Sequence, residues 1–122
     1  MTLHEFYSAV GGDYNDAIGR LRTESFIERF LRMFPQDNSM SLLNEAMAAS
    51  DAATAFRAVH TMKGIARNLR LTGLAAACST MTEALRGKSE LPAEATALYQ
   101  KVSDEYAKVS HALSQLEASS GK

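Results

Sequence analysis

The sequence predicts an all-α fold, an antiparallel up-down four-helix bundle with short additional N-terminal helices. Three observations carry that expectation. Apolar residues recur at three- and four-residue spacing along most of the chain, and no segment keeps the period-two alternation of a strand. Helix formers are abundant, while 122 residues hold only two prolines and seven glycines, a composition that suits helices better than strands. Four of the marked segments are long enough to bury a full apolar stripe against a neighbour.

The elements follow in order. Thr2 and Glu5 have the spacing of a capping box, and Leu3, Phe6, Tyr7 and Val10 mark one face of a first helix that Gly11-Gly12 ends. Asp13 caps a segment from Tyr14 to Leu21 with Ile18 and Leu21 inward. Thr23 starts the next, where Phe26, Ile27, Phe30, Leu31 and Phe34 recur at three- to four-residue spacing as an apolar stripe. Pro35 closes it, because proline lacks the amide and clashes with the preceding turn. After the polar stretch Gln36 to Ser39, the residues Leu42, Leu43, Ala46, Met47 and Ala49 make a short amphipathic helix. Ser50-Asp51 is a turn and N-cap signal for the long segment Ala52 to Leu69. Thr72 caps a helix carrying Leu74, Cys78, Met81 and Leu85, and Gly87-Lys88-Ser89 is a loop. Pro92 stands where a first-turn proline is tolerated, ahead of a last helix carrying Ala95, Leu98, Val102, Val109, Leu113 and Leu116. Residues 118–122 read as a frayed tail, and Met33, Met47, Met62, Met81 and Cys78 as core filling.

The length suits one domain over residues 1–122. With 13 Lys+Arg against 14 Asp+Glu, the net charge of −1 argues against coating nucleic acid by bulk electrostatics. No basic-then-apolar leader opens the sequence, no apolar stretch approaches the ~20 residues of a membrane span, and the single cysteine has no partner for a disulfide. A cytoplasmic protein with no membrane partner is the expectation. Nucleotide-binding glycine loops and the nucleophile elbow are absent from the sequence, and His4, His60 and His111 never stand at i, i+4. Neither ATP binding, nor a metal site, nor an enzyme in its own right is expected.

The segment around His60 reads differently. On a wheel at ~100° per residue with Val59 at zero, Ala55, Val59, Met62, Ala66 and Leu69 cluster near ~310°, the core face. His60 falls near ~100°, with Gly64 and Arg67 beside it, Arg57 and Asn68 further round, and Lys63 on the flank. From Ala52 to Thr82 there is no Asp or Glu, whereas Arg57, Lys63, Arg67 and Arg70 all lie there. A neutral imidazole nitrogen is a nucleophile toward phosphorus, and nearby cations favour that neutral form. Once phosphorylated, the ring would carry a dianion that Lys63 and the arginines can stabilise. Gly64 costs a helix interior ~1 kcal/mol relative to alanine, which makes sense if another protein must approach closely there. Taken singly, each feature has an ordinary reading: a solvated histidine, a tolerated glycine, a soluble basic surface. Their conjunction is what points to function.

That conjunction, His60-Thr-Met-Lys63-Gly64-Ile-Ala-Arg-Asn68-Leu69, resembles the H-x-x-K-G-x-x-x-N-L-G signature of histidine-containing phosphotransfer (HPt) domains. Ser50-Asp51 before Ala55 to Val59, the Thr82 to Arg86 stretch and the phenylalanine-rich Phe26 to Phe34 segment extend the resemblance over nearly the whole chain, most weakly in the last helix. The resemblance implies an up-down helical bundle that relays phosphoryl groups between aspartates of response-regulator receiver domains without binding ATP. It implies His60 as phosphoacceptor, Lys63 as a holder of the phosphoryl group and Gly64 as the open approach. Asn68 and Leu69 would support the helix end. The basic face on the wheel adds Arg57, Arg67 and Asn68 to Lys63 and Gly64 as expected phosphoryl- or partner-binding residues. The implied partners are receiver domains and a hybrid sensor histidine kinase. Mg²⁺ is expected on the receiver, none on this chain, which is expected to be a monomer. One departure stands out: Arg70 occupies the position of the family's last glycine, at an expected ~1 kcal/mol or a changed turn.

Two other functional classes fit parts of the pattern. A module that docks receivers without carrying phosphate would keep the basic face and not need His60. A helical nucleic-acid binder fits poorly, because the stripe has few cations and no interleaved aromatics.

Overall fold

A computed structural model describes residues 1–120, and all regular structure among them is helical. In chain order these are α1 (Leu3–Ala9), α2 (Tyr14–Leu21), α3 (Glu24–Met33), a single 3₁₀ turn (Phe34–Gln36), α4 (Ser39–Ala48), α5 (Ala52–Asn68), α6 (Thr72–Leu85) and α7 (Ala95–Ser120). The helix starts come from local side-chain chemistry. Thr2 and Glu5 form the reciprocal capping box, at 3.1 Å to the Glu5 amide and 2.7 Å back to the Thr2 amide. Asp13, Thr23 and Asp51 each accept an amide three residues on, opening α2, α3 and α5.

Packing follows the chain: α4 lies on α5, α5 on α6, and α6 on α7, while α1 rests against α7 and α2 bridges α1 and α3. The core they enclose includes Phe6, Tyr7, Ile27, Leu31, Leu43, Val59, Met62, Leu74, Met81, Leu85 and Val102, all fully buried. Cys78 is buried among them. Ile18 and Leu21 pack against this core from its edge, and Ala17 supplies the fully buried position of α2.

Several expectations are corrected. Phe26, Phe30 and Met33 are exposed by 45%, 39% and 57%, whereas Ile27, Leu31 and Phe34 are buried. The two rows sit about 80–100° apart around α3, and α3 packs on one side only, so one row goes inward. The other stays out, with Phe26 and Phe30 stacked on each other at 5.8 Å. Leu42 is exposed for the same reason beside the buried row Leu43 and Ala46, and Ala49 lies past the last turn of α4. Thr72 is the first residue of α6 and not its cap; Leu71 holds that position without a side-chain bond. Pro92 precedes α7 by a turn, its carbonyl accepting the Ala95 amide at 3.0 Å. The α7 helix runs to Ser120, and residues 121–122 of the expected tail lie outside the described residues.

The end of α5 is closed by several hydrogen bonds. The Arg70 amide donates to the Arg67 carbonyl at 3.1 Å and the Leu71 amide to that of Ala66 at 2.9 Å, with Arg70 at φ +58°. This is the left-handed Schellman closure that usually employs glycine. The turn is therefore kept, with arginine in it. Compensation comes from the Arg70 side chain, whose Nη1 donates to the Arg67 carbonyl at 3.1 Å and whose Nε lies 3.0 Å from Asp16 Oδ2. The N-terminal helices grip the same end. Tyr7 donates its hydroxyl to the Leu69 carbonyl at 2.7 Å, and Arg20 donates to Asn68 Oδ1 at 3.0 Å. Gly12 is required there, because a Cβ would stand 2.7 Å from the Arg70 carbonyl oxygen.

Candidate functional site

The α5 face that the wheel assigns to the core is the one that is buried: Ala55, Val59, Met62, Ala66 and Leu69. Its opposite face carries His60, which is exposed. Asp51 fixes the start of this helix by accepting the Thr54 amide at 3.1 Å and the Thr54 hydroxyl at 2.7 Å. Those Thr54 bonds hold the Asp51 carboxyl below the usual carboxylate range. Arg57 turns back toward the helix start, donating to Thr54 Oγ1 at 3.1 Å.

His60 has a defined neighbour. The ring of Phe56, one turn earlier, lies parallel to the imidazole, with centroids 5.8 Å apart and 6° between planes. The Arg86 guanidinium from the end of α6 sits 5.3 Å from the Phe56 centroid. Glu83 holds that guanidinium with two contacts, 3.2 Å to Nε and 2.8 Å to Nη2. The Arg86 hydrogen bonds keep the Glu83 carboxyl below its ordinary range, and the charges of Arg86, Lys63 and His60 add to that. The basic face thus has an acid at its α6 edge, one residue beyond the acid-free stretch.

Lys63 is half-buried on the side facing α6, close enough for its charge to act on Glu83 and on buried Cys78. Gly64 is exposed, and a Cβ built there would meet nothing within 4 Å. The fold therefore places no demand for glycine at this position. Arg67 is exposed about 10 Å along the axis from His60, lining a shallow cleft with Arg70, Thr72 and Ser79. Asn68 is exposed in the last turn, its amide oxygen taken by Arg20.

On the Gly64 side of the helix the surface drops into a groove of about 570 Å³. Leu21, Phe30, Met33, Phe34, Ile65 and Leu69 supply its apolar lining, and Arg20, Gln36, Asp37 and Asn68 its polar rim. Among the described residues no group of His, Cys, Asp and Glu could hold a metal ion, and no helix is long and apolar enough to cross a membrane.

Phe56, Glu83, Arg86 and Arg20 were not identified from the sequence as neighbours of the motif. Phe56 carried a usable signal, since position i−4 places it over His60 on one helical face. The other three reach α5 from α6 and α2 only through tertiary packing.

A family model described as Hpt domain matches residues 25–119. Comparison with curated proteins and with solved structures gave no match. The matched region starts within α3 and leaves α1 and α2, which hold the end of α5, outside it.

Proposed function

The chain belongs to the Hpt domain family of phosphotransfer modules in two-component signalling, and from that membership we propose that His60 is its phosphoacceptor. A neutral ring nitrogen, Nε2, attacks the phosphorus of a receiver-domain phosphoaspartate in line. The new N–P bond forms as the acyl-phosphate O–P bond breaks, and the aspartate leaves as carboxylate. A second receiver aspartate then takes the group in the reverse sense. Mg²⁺ and the acidic pocket belong to the receiver, and a hybrid sensor histidine kinase is the upstream source. The carrier acts as a cytoplasmic monomer, and α4 to α7 form its up-down four-helix bundle.

The observation that carries this reading is the pairing of an exposed His60 with a Gly64 that nothing in the fold requires. An open position one turn from a nucleophile serves a partner whose own site must close over it. Lys63 would meet the phosphoryl charge. Beyond Gly64, the groove around Phe30 and Met33 continues the docking surface for the same receiver, being contiguous with α5 through Ile65 and Asn68.

Incubation with a phosphorylated receiver should yield acid-labile, alkali-stable phosphate on the wild-type chain and none on His60→Gln. Label persisting in the variant would assign the phosphate elsewhere. Receiver binding without any transfer would make the protein a docking module.

A further inference from the structure

We propose that Phe56 is a positioning residue for phosphoryl transfer, holding the His60 imidazole in one orientation; this rests on His60 being the phosphoacceptor. The lone pair of an imidazole nitrogen lies in the ring plane, so attack on phosphorus requires the plane, and not the face, to meet the partner. A solvated histidine on a helix turns freely about its outer side-chain torsion. His60 is instead in parallel contact with Phe56, at 5.8 Å and 6°, within the range of offset aromatic stacking. The two rings share one orientation, and His60 stays exposed to a partner.

Phe56 is itself fixed from two directions. It is half-buried against the core, and the Arg86 guanidinium lies 5.3 Å from its centroid, within cation–π range. Arg86 is tied to Glu83 by two hydrogen bonds. The column Glu83–Arg86–Phe56–His60 therefore runs from α6 to the reacting ring. The orientation of His60 is set partly by a helix other than its own. Stacking of this kind biases a conformational equilibrium by about two- to tenfold, and the same factor should be read in the transfer step.

The test compares Phe56→Leu, which keeps apolar bulk, with Phe56→Tyr, which keeps the ring. In NMR spectra of the free protein, the ring-current shift of the His60 ring protons should vanish in Phe56→Leu and persist in Phe56→Tyr. Single-turnover transfer at saturating phosphorylated receiver should slow about two- to tenfold in Phe56→Leu and return in Phe56→Tyr. Phosphoramidate, which phosphorylates a histidine nitrogen with loss of ammonia, gives a readout free of any receiver. The wild type should be labelled mainly on one ring nitrogen and Phe56→Leu on a mixture, resolved by phosphorus and nitrogen NMR. Unchanged His60 shifts, wild-type transfer by Phe56→Leu, or equal failure of both variants would overturn the proposal. A wild type inert to receivers that still shows Phe56-dependent phosphoramidate labelling would remove the carrier reading alone and support the orienting role.

Discussion

The Tyr7 hydroxyl donates to the carbonyl oxygen of Leu69 at 2.7 Å, joining residues 62 positions apart. Leu69 is the C-cap of α5, where carbonyls lack intrahelical partners. Tyr7 thus satisfies a buried acceptor at the end of the helix that carries His60. Phe in its place keeps the packing and leaves that acceptor unmet, at a cost of about 1–3 kcal/mol. Urea denaturation of Tyr7→Phe should show a lower midpoint at unchanged slope. A midpoint equal to wild type would mean that water or a shift of the chain replaces the bond.

Arg70 gives a second test of the same junction. At φ +58° an arginine carries a left-handed penalty of about 1 kcal/mol that glycine escapes. Its ion pair with Asp16 joins partly exposed groups, 30% and 56% accessible, and so contributes at most about 1 kcal/mol. The two nearly cancel, so Arg70→Gly should lie within about 1 kcal/mol of wild type. Arg70→Ala loses the pair and retains the penalty, and should fall about 1 kcal/mol below the glycine variant. Equal stability of the two variants would show that the turn opens when the ion pair is removed.

This junction also marks what the sequence could and could not reveal. The buried face of α5, the exposure of His60 and Gly64, and four of the N-cap residues were legible because each depends on spacing within one segment. Arg70 was legible as a departure but not as a solution, since Asp16, Gly12 and Tyr7 reach it from a distant stretch of chain. The α3 stripe misled for a different reason. Six apolar residues in nine positions define two rows, and only the neighbours of α3 decide that Ile27 and Leu31 go inward while Phe26 and Phe30 do not. Glu83 lies just past the acid-free stretch along the chain, and only the packing of α6 on α5 brings its charge to the basic face.

Alkaline pH should destabilise the protein in two stages. Burial pushes the Cys78 thiol up to about 12, against the nearby Lys63 charge, and burial raises the Tyr7 phenol as well. In the unfolded chain these groups lose their protons near about 8.5 and 10. Above each of those values the unfolded state binds fewer protons than the folded one. The stability contribution is therefore complete below the unfolded value and is lost as pH rises toward the folded one. The slope is at most about 1.4 kcal/mol per pH unit for each group. Urea midpoints measured from pH 8 to 11 should fall, and Cys78→Ala should remove the earlier part of the decline. A thiol that reacts with iodoacetamide at pH 8 in the folded protein would contradict this account.

The exposed row on α3 should separate docking from folding. Phe30 and Met33 are 39% and 57% exposed, so Phe30→Glu with Met33→Glu should change stability by only about 0.5 kcal/mol each. If the receiver covers this groove, affinity should fall about tenfold or more, the scale of losing central apolar contacts. Unchanged affinity would confine the partner to the His60 face of α5.

Gly64→Ala should move stability and transfer in opposite directions. A Cβ at this position meets nothing within 4 Å, so the folded chain accepts it without strain. Alanine in an exposed helix interior should then raise stability by about 0.5–1 kcal/mol. The added methyl stands about 6 Å along the axis from His60; with His60 as phosphoacceptor, that is the surface a partner would cover to bring phosphorus within about 3–3.5 Å of the ring nitrogen. Transfer from a phosphorylated receiver should slow about tenfold or more, because a misplacement of about 1 Å at a reacting centre costs that much. Phosphoramidate, being small, should label Gly64→Ala as fast as wild type. A variant that is more stable and relays phosphate from the receiver at the wild-type rate would show that the partner does not approach over Gly64, and the docking side would then have to be the Lys63 flank.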